Sequence, residues 1–181
     1  MTNAELAILS LIVEKPRHGY EIEQVIEERG MREWTEVGFS SIYYVLKKLE
    51  GAGLVHGRLE QQAGRGPARK VYEVTGEGRA AWHQGTIEAL SIPQHCNMPF
   101  QLGLANLPGL DGDEGVTAVG QYRDSLAGQR DRLHARYKEE GQGAPLHVRA
   151  MFDLSLTLIA AELDWIEQFI VAVSEDQVPG T

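Results

Sequence analysis

The sequence predicts a mostly α (α+β) fold with one short β-ribbon set among helices. Three observations carry this expectation. Ile42, Val45, Leu46 and Leu49 recur at i, i+3, i+4 and i+7, which makes one apolar helical stripe. Gly51-Ala-Gly53 closes that helix, because glycine takes the left-handed cap at no steric cost. Leu54 to Glu60 and Lys70 to Thr75 then read as a hairpin around the basic, glycine-rich segment Gln61-Gln-Ala-Gly-Arg-Gly-Pro-Ala-Arg69.

The flanking elements follow in order. Ala4 to Glu14 is a first helix, with Leu6, Leu9 and Val13 on one face, widened by Ile8 and Ile12. Thr2 or Asn3 is its expected cap. Lys15-Pro16-Arg17 breaks it, since proline disfavours helix in the residue before it. His18 to Arg29 is a second helix with Ile22, Val25 and Ile26 inward, closed by Gly30. His18 is expected to start or cap it. Gly30 to Gly38 is a linker that holds Trp34. The striped helix and the hairpin come next, and Thr75 caps a fourth helix running to about Leu90. Pro93 and Pro99 bound a break. Phe100 to Leu107 is a short helical piece, and Leu110 to Glu114 a turn.

Two long helices finish the chain. The first covers about Glu114 to Glu140, with Val119, Tyr122, Leu126, Leu133 and Tyr137 near heptad spacing. The second covers about Leu146 to Ser174 and is apolar on nearly all sides. A helix apolar all round must be buried all round. One neighbouring helix cannot cover it, so a homodimer is expected. Its interface is assigned to Leu126, Leu133, Phe152, Ile159, Leu163, Ile166 and Ile170. The expected domains are residues 1–82, carrying the hairpin, and residues 83–181, a helical dimerisation domain.

The polar face of the striped helix carries Ser40, Ser41, Tyr43, Tyr44, Lys47 and Lys48. A merely solvated face would favour Glu, Lys and Gln. Hydroxyls, aromatics and cations are the groups that meet phosphates and base edges. Such a helix followed by a hairpin is the pattern of a winged helix-turn-helix that binds double-stranded DNA. Ser40, Ser41, Tyr43 and Tyr44 are expected at the groove, and Lys47 and Lys48 at phosphates. Arg65, between Gly64 and Gly66, can approach a narrow groove closely. Arg69 and Lys70 sit at the start of the returning strand.

The net charge of −9 is unevenly spread: residues 1–82 sum to −1 and residues 83–181 to −8. Lys47 to Arg79 holds 7 basic and 4 acidic residues, a local +3. A local patch sets the footprint on nucleic acid, and the overall acidity predicts weak non-specific DNA binding. That same acidity keeps open an alternative, a winged-helix protein-interaction module that binds no DNA.

Other chemistry is not expected. The chain lacks the patterns Gly-x-Ser-x-Gly, His-Glu-x-x-His, Gly-x-Gly-x-x-Gly and the P-loop, so it is not read as an enzyme. His95-Cys96, with His83 upstream, lacks ligand spacing, and neither metal nor cofactor is expected. A redox role for the single Cys96 has no partner cysteine behind it. One cysteine suits a reducing cytoplasm. No leader pattern opens the chain. Acidic residues from Asp153 to Glu167 interrupt the most apolar stretch, which argues against a membrane span.

Several short motifs, in order and spacing, resemble the PadR family of bacterial transcriptional regulators in its form with a long C-terminal helical domain. They are Ala7-Ile-Leu-Ser-Leu-Ile12, His18-Gly-Tyr-Glu-Ile22, Ser41-Ile-Tyr43, Leu46-Lys-Lys-Leu-Glu50, Gly53-Leu-Val55, Arg69-Lys-Val-Tyr-Glu-Val-Thr75 with Gly78, and Glu162-Leu-Asp-Trp165. The resemblance covers nearly the whole length. It implies a dimeric regulator, a repressor, on a pseudo-palindromic operator, with wing spacing altered by a small-molecule effector of unknown identity. Tyr44 stands where many family members have proline, which adds a second aromatic hydroxyl to the DNA face. Trp82 and Trp165 are expected as core or interface residues; in some relatives, mainly short ones, interface aromatics line a pocket for planar ligands.

Overall fold

The computed structural model describes residues 1–35, 38, 41–60, 69–93 and 99–176. Two compact units result, Met1–His95 and Cys96–Thr181. The first contains α1 (Asn3–Glu14), β1 (Arg17–His18), α2 (Gly19–Glu28), α3 (Ser41–Gly51), β2 (Val55–Glu60), β3 (Arg69–Val74) and α4 (Gly76–Ser91). The strands form an antiparallel sheet in the order β1-β3-β2. Val55 faces Val74 and Glu60 faces Arg69 across the hairpin, while Arg17 faces Tyr72 on the other edge of β3.

Local chemistry explains the helix ends. Thr2 and Glu5 form a reciprocal capping box on α1: the Glu5 N–H donates to Thr2 Oγ1 at 3.2 Å, and the Thr2 N–H donates to Glu5 Oε2 at 2.9 Å. The Glu21 N–H donates to Nδ1 of His18 at 3.1 Å, so His18 caps α2. Thr75 caps α4 by accepting the Gly78 N–H at 2.9 Å. Just past α3 the chain turns at Gly53, with φ of 72°; the Leu54 N–H reaches the Leu49 carbonyl at 2.9 Å and the Gly53 N–H reaches that of Glu50 at 3.0 Å. Those paired bonds consume carbonyls that the helix end leaves open. A Cβ on Gly78 would lie 1.9 Å from the Leu54 carbonyl oxygen, so only glycine lets α4 start this close to the hairpin.

The core of this unit joins Ile8, Leu9, Leu11 and Ile12 of α1 to Ile22 and Ile26 of α2 and to the α3 stripe Ile42, Val45, Leu46 and Leu49. Val55 and Tyr72 close it from the hairpin.

Arg17 differs from its expected role as part of a simple break. It is a strand residue, and its side chain is buried. Its Nε donates to the Leu11 carbonyl at 2.9 Å, and its Nη2 to Glu14 at 2.8 Å. Its Nη1 lies 3.5 Å from Glu21. Glu14 also takes both guanidinium nitrogens of Arg29, at 2.6 and 2.9 Å. A buried cation needs such partners, because an unpaired one costs several kcal/mol, roughly 3–5. The knot ties α1, α2 and the sheet together. Two residues carry no readable period, so this strand comes only from its pairing with β3.

The second unit contains α5 (Pro99–Asn106), α6 (Gly112–Arg136) and α7 (Leu146–Asp176), with a π-helical turn at Tyr137–Gly141 ending α6. Tyr122 meets Glu162 and Tyr137 meets Phe152, so α6 and α7 run antiparallel. Their shared core is Val119, Leu126, Leu163 and Ile166, with Phe100, Tyr122, Ile159, Phe169 and Ile170 against it. The Tyr122 hydroxyl donates to Glu162 at 2.7 Å. Burial, reinforced by that carboxylate, pushes the phenol up to about 12, so it remains a donor.

Three residues assigned to a dimer interface, Leu126, Leu163 and Ile166, are therefore covered by this chain's own helices. Leu133, Phe152, Ile159 and Ile170 are half-buried. The apolar residues that α7 leaves exposed are Met151, Leu154, Leu158, Trp165 and Val171, with Leu146 at its start. Among the described residues no helix is long and apolar enough to cross a membrane, and no cluster of His, Cys, Asp or Glu could hold a metal. Ser40, Arg65, His95 and Cys96 lie outside the described residues.

The Arg17 knot gives a pH signature. Hydrogen bonds from Arg29, and then from Arg17, hold Glu14 below its ordinary 4.5 although burial opposes them. A depressed carboxylate stabilises the fold above the unfolded pKa and loses that contribution as pH falls through the folded one. Thermal melts taken downward from neutral pH should show Tm dropping below about pH 4.5 in the wild-type protein, with a shallower drop in Glu14→Gln.

Candidate nucleic-acid interface

Burying the α3 stripe turns the other side of the helix to solvent. Tyr43 and Tyr44 are 58% and 69% exposed there, and Lys47 is exposed beside them. Large aromatics left in water on one helical face mark a contact surface rather than a packing one. Ser41 opens α3, but its side chain is not among those described.

Pairing of β1 with β3 brings the start of α2 next to the wing. His18, Gly19, Tyr20, Tyr43, Arg69, Lys70 and Tyr72 line an open cleft of about 350 Å³. The His18 and Tyr20 rings stack with centroids 6.4 Å apart. A Cβ on Gly19 would sit 2.6 Å from the Tyr43 ring, so glycine here lets α2 approach the tyrosine. In the sequence His18 reads as a cap and Tyr20 only as part of the motif His18-Gly-Tyr-Glu-Ile22, and neither is assigned to the DNA face. No spacing signals their place, because a two-residue strand creates it.

The cations of this face divide into two groups. Lys48 pairs with Glu5 of α1, and Lys70 pairs with Glu50 at 2.7 Å while lying 5.4 Å from the centre of the Tyr72 ring. Arg58 of β2 is held by Glu60 at 2.6 Å and Glu73 at 3.4 Å. Among the described residues, Lys47 and Arg69 have no carboxylate partner. The hydrogen bond from Lys48 is the main cause that lowers Glu5, and the bond from Lys70 is the main cause that lowers Glu50. Both lysines are shifted upward by the same bonds. All four groups are charged near neutrality. Lys48, expected at a phosphate, and Lys70, expected as a DNA-contact candidate on the returning strand, are thus exposed yet already held by carboxylates.

The hairpin and the helix pair meet known proteins here. Residues 8–84 match the model of the transcriptional regulator PadR-like family. Over those residues the first unit is similar to that family. The winged-helix fold and the helices after it have counterparts among solved structures. Bacillus subtilis PadR in complex with operator DNA is similar with a TM-score of 0.74 at 21% identity, covering 93% of this chain and 98% of that one. A PadR-like transcriptional regulator from Bacillus cereus is similar with a TM-score of 0.68 at 18% identity, over 96% of this chain and 97% of that one. B. subtilis PadR in complex with p-coumaric acid gives 0.72 at 20% identity, over 94% and 98%. These likenesses concern the fold, and they extend through the helices that follow the PadR-like unit. No curated protein matches the chain in sequence.

Proposed function

We propose that this protein is a cytoplasmic, sequence-specific DNA-binding transcriptional regulator that acts as a homodimer. The observation that carries this reading is the α3 face with Tyr43, Tyr44 and Lys47 turned to solvent beside the wing strand that bears Arg69. α3 enters a major groove, Lys47 and Arg69 meet phosphates, and the cleft at Tyr20 and Tyr43 seats the strand edge. The complex of B. subtilis PadR with operator DNA supports the reading. Two such units read a pseudo-palindromic site with half-sites about 34–36 Å apart, or a multiple of that. Repression follows if the operator overlaps a promoter, and the family resemblance supports that sign.

The homodimer forms through α7. Met151, Leu154, Leu158 and Trp165 are spaced three, four and seven residues apart and remain exposed on one stripe. α6 covers the other stripe, so a second subunit is the natural cover for this one. A small-molecule effector, not identified, completes the proposal. The B. subtilis relative in complex with p-coumaric acid supports it. An apolar cleft of about 400 Å³ in the second unit, lined by Leu104, Val116, Trp165 and Phe169 among others, has the size of a ligand site.

Two measurements test these claims. Lys47→Ala should lower the slope of log K against log salt by about 0.9 for each phosphate that the lysine no longer neutralises. Unchanged nucleic-acid binding in Lys47→Ala with Arg69→Ala would favour a protein-interaction module, the reading that the acidic net charge supports. For the dimer, Leu158→Glu should sediment as a folded monomer, because Leu158 is 60% exposed in the single chain. Ile166→Glu should instead unfold the second unit, because Ile166 is fully buried within it.

A further inference from the structure

Two of the cations on the DNA-facing side are bridged to carboxylates that belong to other elements, and the bridges are built rather than incidental. Glu50 uses both oxygens: Oε1 accepts the Gly57 N–H at 3.2 Å, and Oε2 holds the Lys70 ammonium at 2.7 Å. The bridge spans the end of α3 and both wing strands. Gly57 is what lets it pass, since a Cβ there would lie 2.0 Å from Cε of Lys70 and 2.8 Å from Oε1 of Glu50. Glu5 is likewise shared between two duties, with one oxygen in the α1 capping box and the other on Lys48. Its side chain is only 10% exposed, while that of Lys48 is 55% exposed. The anchor is fixed and the cation is reachable from solvent.

We propose that Glu50 and Glu5 act as built-in phosphate mimics, which mask Lys70 and Lys48 from non-specific DNA and yield them only to a correctly registered site. This rests on the DNA-binding reading above and adds a determinant of specificity to it. The physics is competitive. Affinity for random duplex comes from cations that release counterions on meeting phosphates. A lysine already neutralised by a carboxylate can take a phosphate, and so release condensed counterions from the DNA, only by losing that partner, and the bared carboxylate repels the incoming backbone. Among the described residues Lys47 and Arg69 carry no such partner, and they supply the sequence-independent attraction. In a registered complex α3 is held in the groove by base contacts. The wing backbone then lies close enough for a phosphate at the cleft of His18, Tyr20, Tyr43, Arg69 and Lys70 to displace Glu50. A non-specific complex lacks that positioning and leaves the bridge closed.

Glu50→Gln is the direct test, because the amide keeps an oxygen for the Gly57 N–H and removes only the charge. The full-length protein is titrated against fluorescent random-sequence duplex over a range of salt, alongside the duplex lying upstream of its own reading frame. Circular dichroism melts confirm that the variants are folded. Unmasking should tighten random-duplex binding roughly two- to fivefold, the range of one exposed ion pair. It should also steepen the salt slope by about 0.9 for each Lys70 that gains a phosphate. Lys70→Ala alone should weaken random-duplex binding slightly, because it leaves the Glu50 carboxylate bare, and adding it to Glu50→Gln should return affinity and slope to wild-type values. Glu5→Gln should reproduce the effect through Lys48. Weaker or unchanged random-duplex binding with an unchanged slope in Glu50→Gln would overturn the proposal and make the bridge a strut of the wing. Tight binding of random duplex by Lys70→Ala and wild type alike, with Glu50→Gln no tighter, would overturn it as well. Failure of wild type and every variant to bind either duplex at low salt would overturn the DNA-binding reading itself, and the mask with it.

Discussion

Ile42, Val45, Leu46 and Leu49 bury one side of α3 against α1, α2 and the root of the hairpin, and that burial decides what the opposite side can do. Each fully buried aliphatic side chain contributes roughly 1.5–3 kcal/mol. Turning the helix by one residue would expose part of the stripe and forfeit several such contributions. No exposed ion pair on the other side, worth about 0–1 kcal/mol, could offset that loss. The helix orientation is therefore a consequence of the core. Tyr43, Tyr44 and Lys47 face solvent because their neighbours on the helix cannot.

The remaining pieces set how the wing and α2 meet that face. β3 is the central strand, and it receives β2 through the hairpin and β1 through Arg17. The Arg17 guanidinium can stay buried only because Glu14, Glu21 and the Leu11 carbonyl surround it. That requirement pins the start of α2, and with it His18 and Tyr20, alongside Tyr43 and Arg69. Glycine at positions 19, 57 and 78 removes the three Cβ atoms that would push these elements apart. The helical unit follows the same rule of covered stripes: α6 covers one side of α7 and leaves Met151, Leu154 and Leu158 for another surface.

Much of this is legible in the residues. The period-3.6 stripe of α3, the capping threonines Thr2 and Thr75, the glycine close at Gly53 and the strand pair of the wing are local signals, and each element lies within a few residues of its expected bounds. Tertiary consequences are not legible. β1 has two residues and no period of its own. The pairing of Lys48 with Glu5 spans most of the first unit's sequence up to α3, and that of Lys70 with Glu50 crosses the hairpin, so neither shows in a charge count. Leu126, Leu163 and Ile166 read as partner-seeking because the pattern marks apolar faces without saying which helix covers them; α6 and α7 cover those three themselves. The cleft residues Tyr20 and Tyr72 become visible as a surface only once β3 has two neighbours.

The most direct measurement is fluorescence anisotropy of the full-length protein with the duplex upstream of its own reading frame, against a random duplex of equal length, over a range of salt. A sequence-specific regulator built on the α3 face binds the upstream duplex at least about a thousandfold more tightly than the random one, with a salt slope that counts several phosphates. Absence of binding to either duplex at low salt would contradict it and leave the exposed tyrosines and Lys47 to a protein partner.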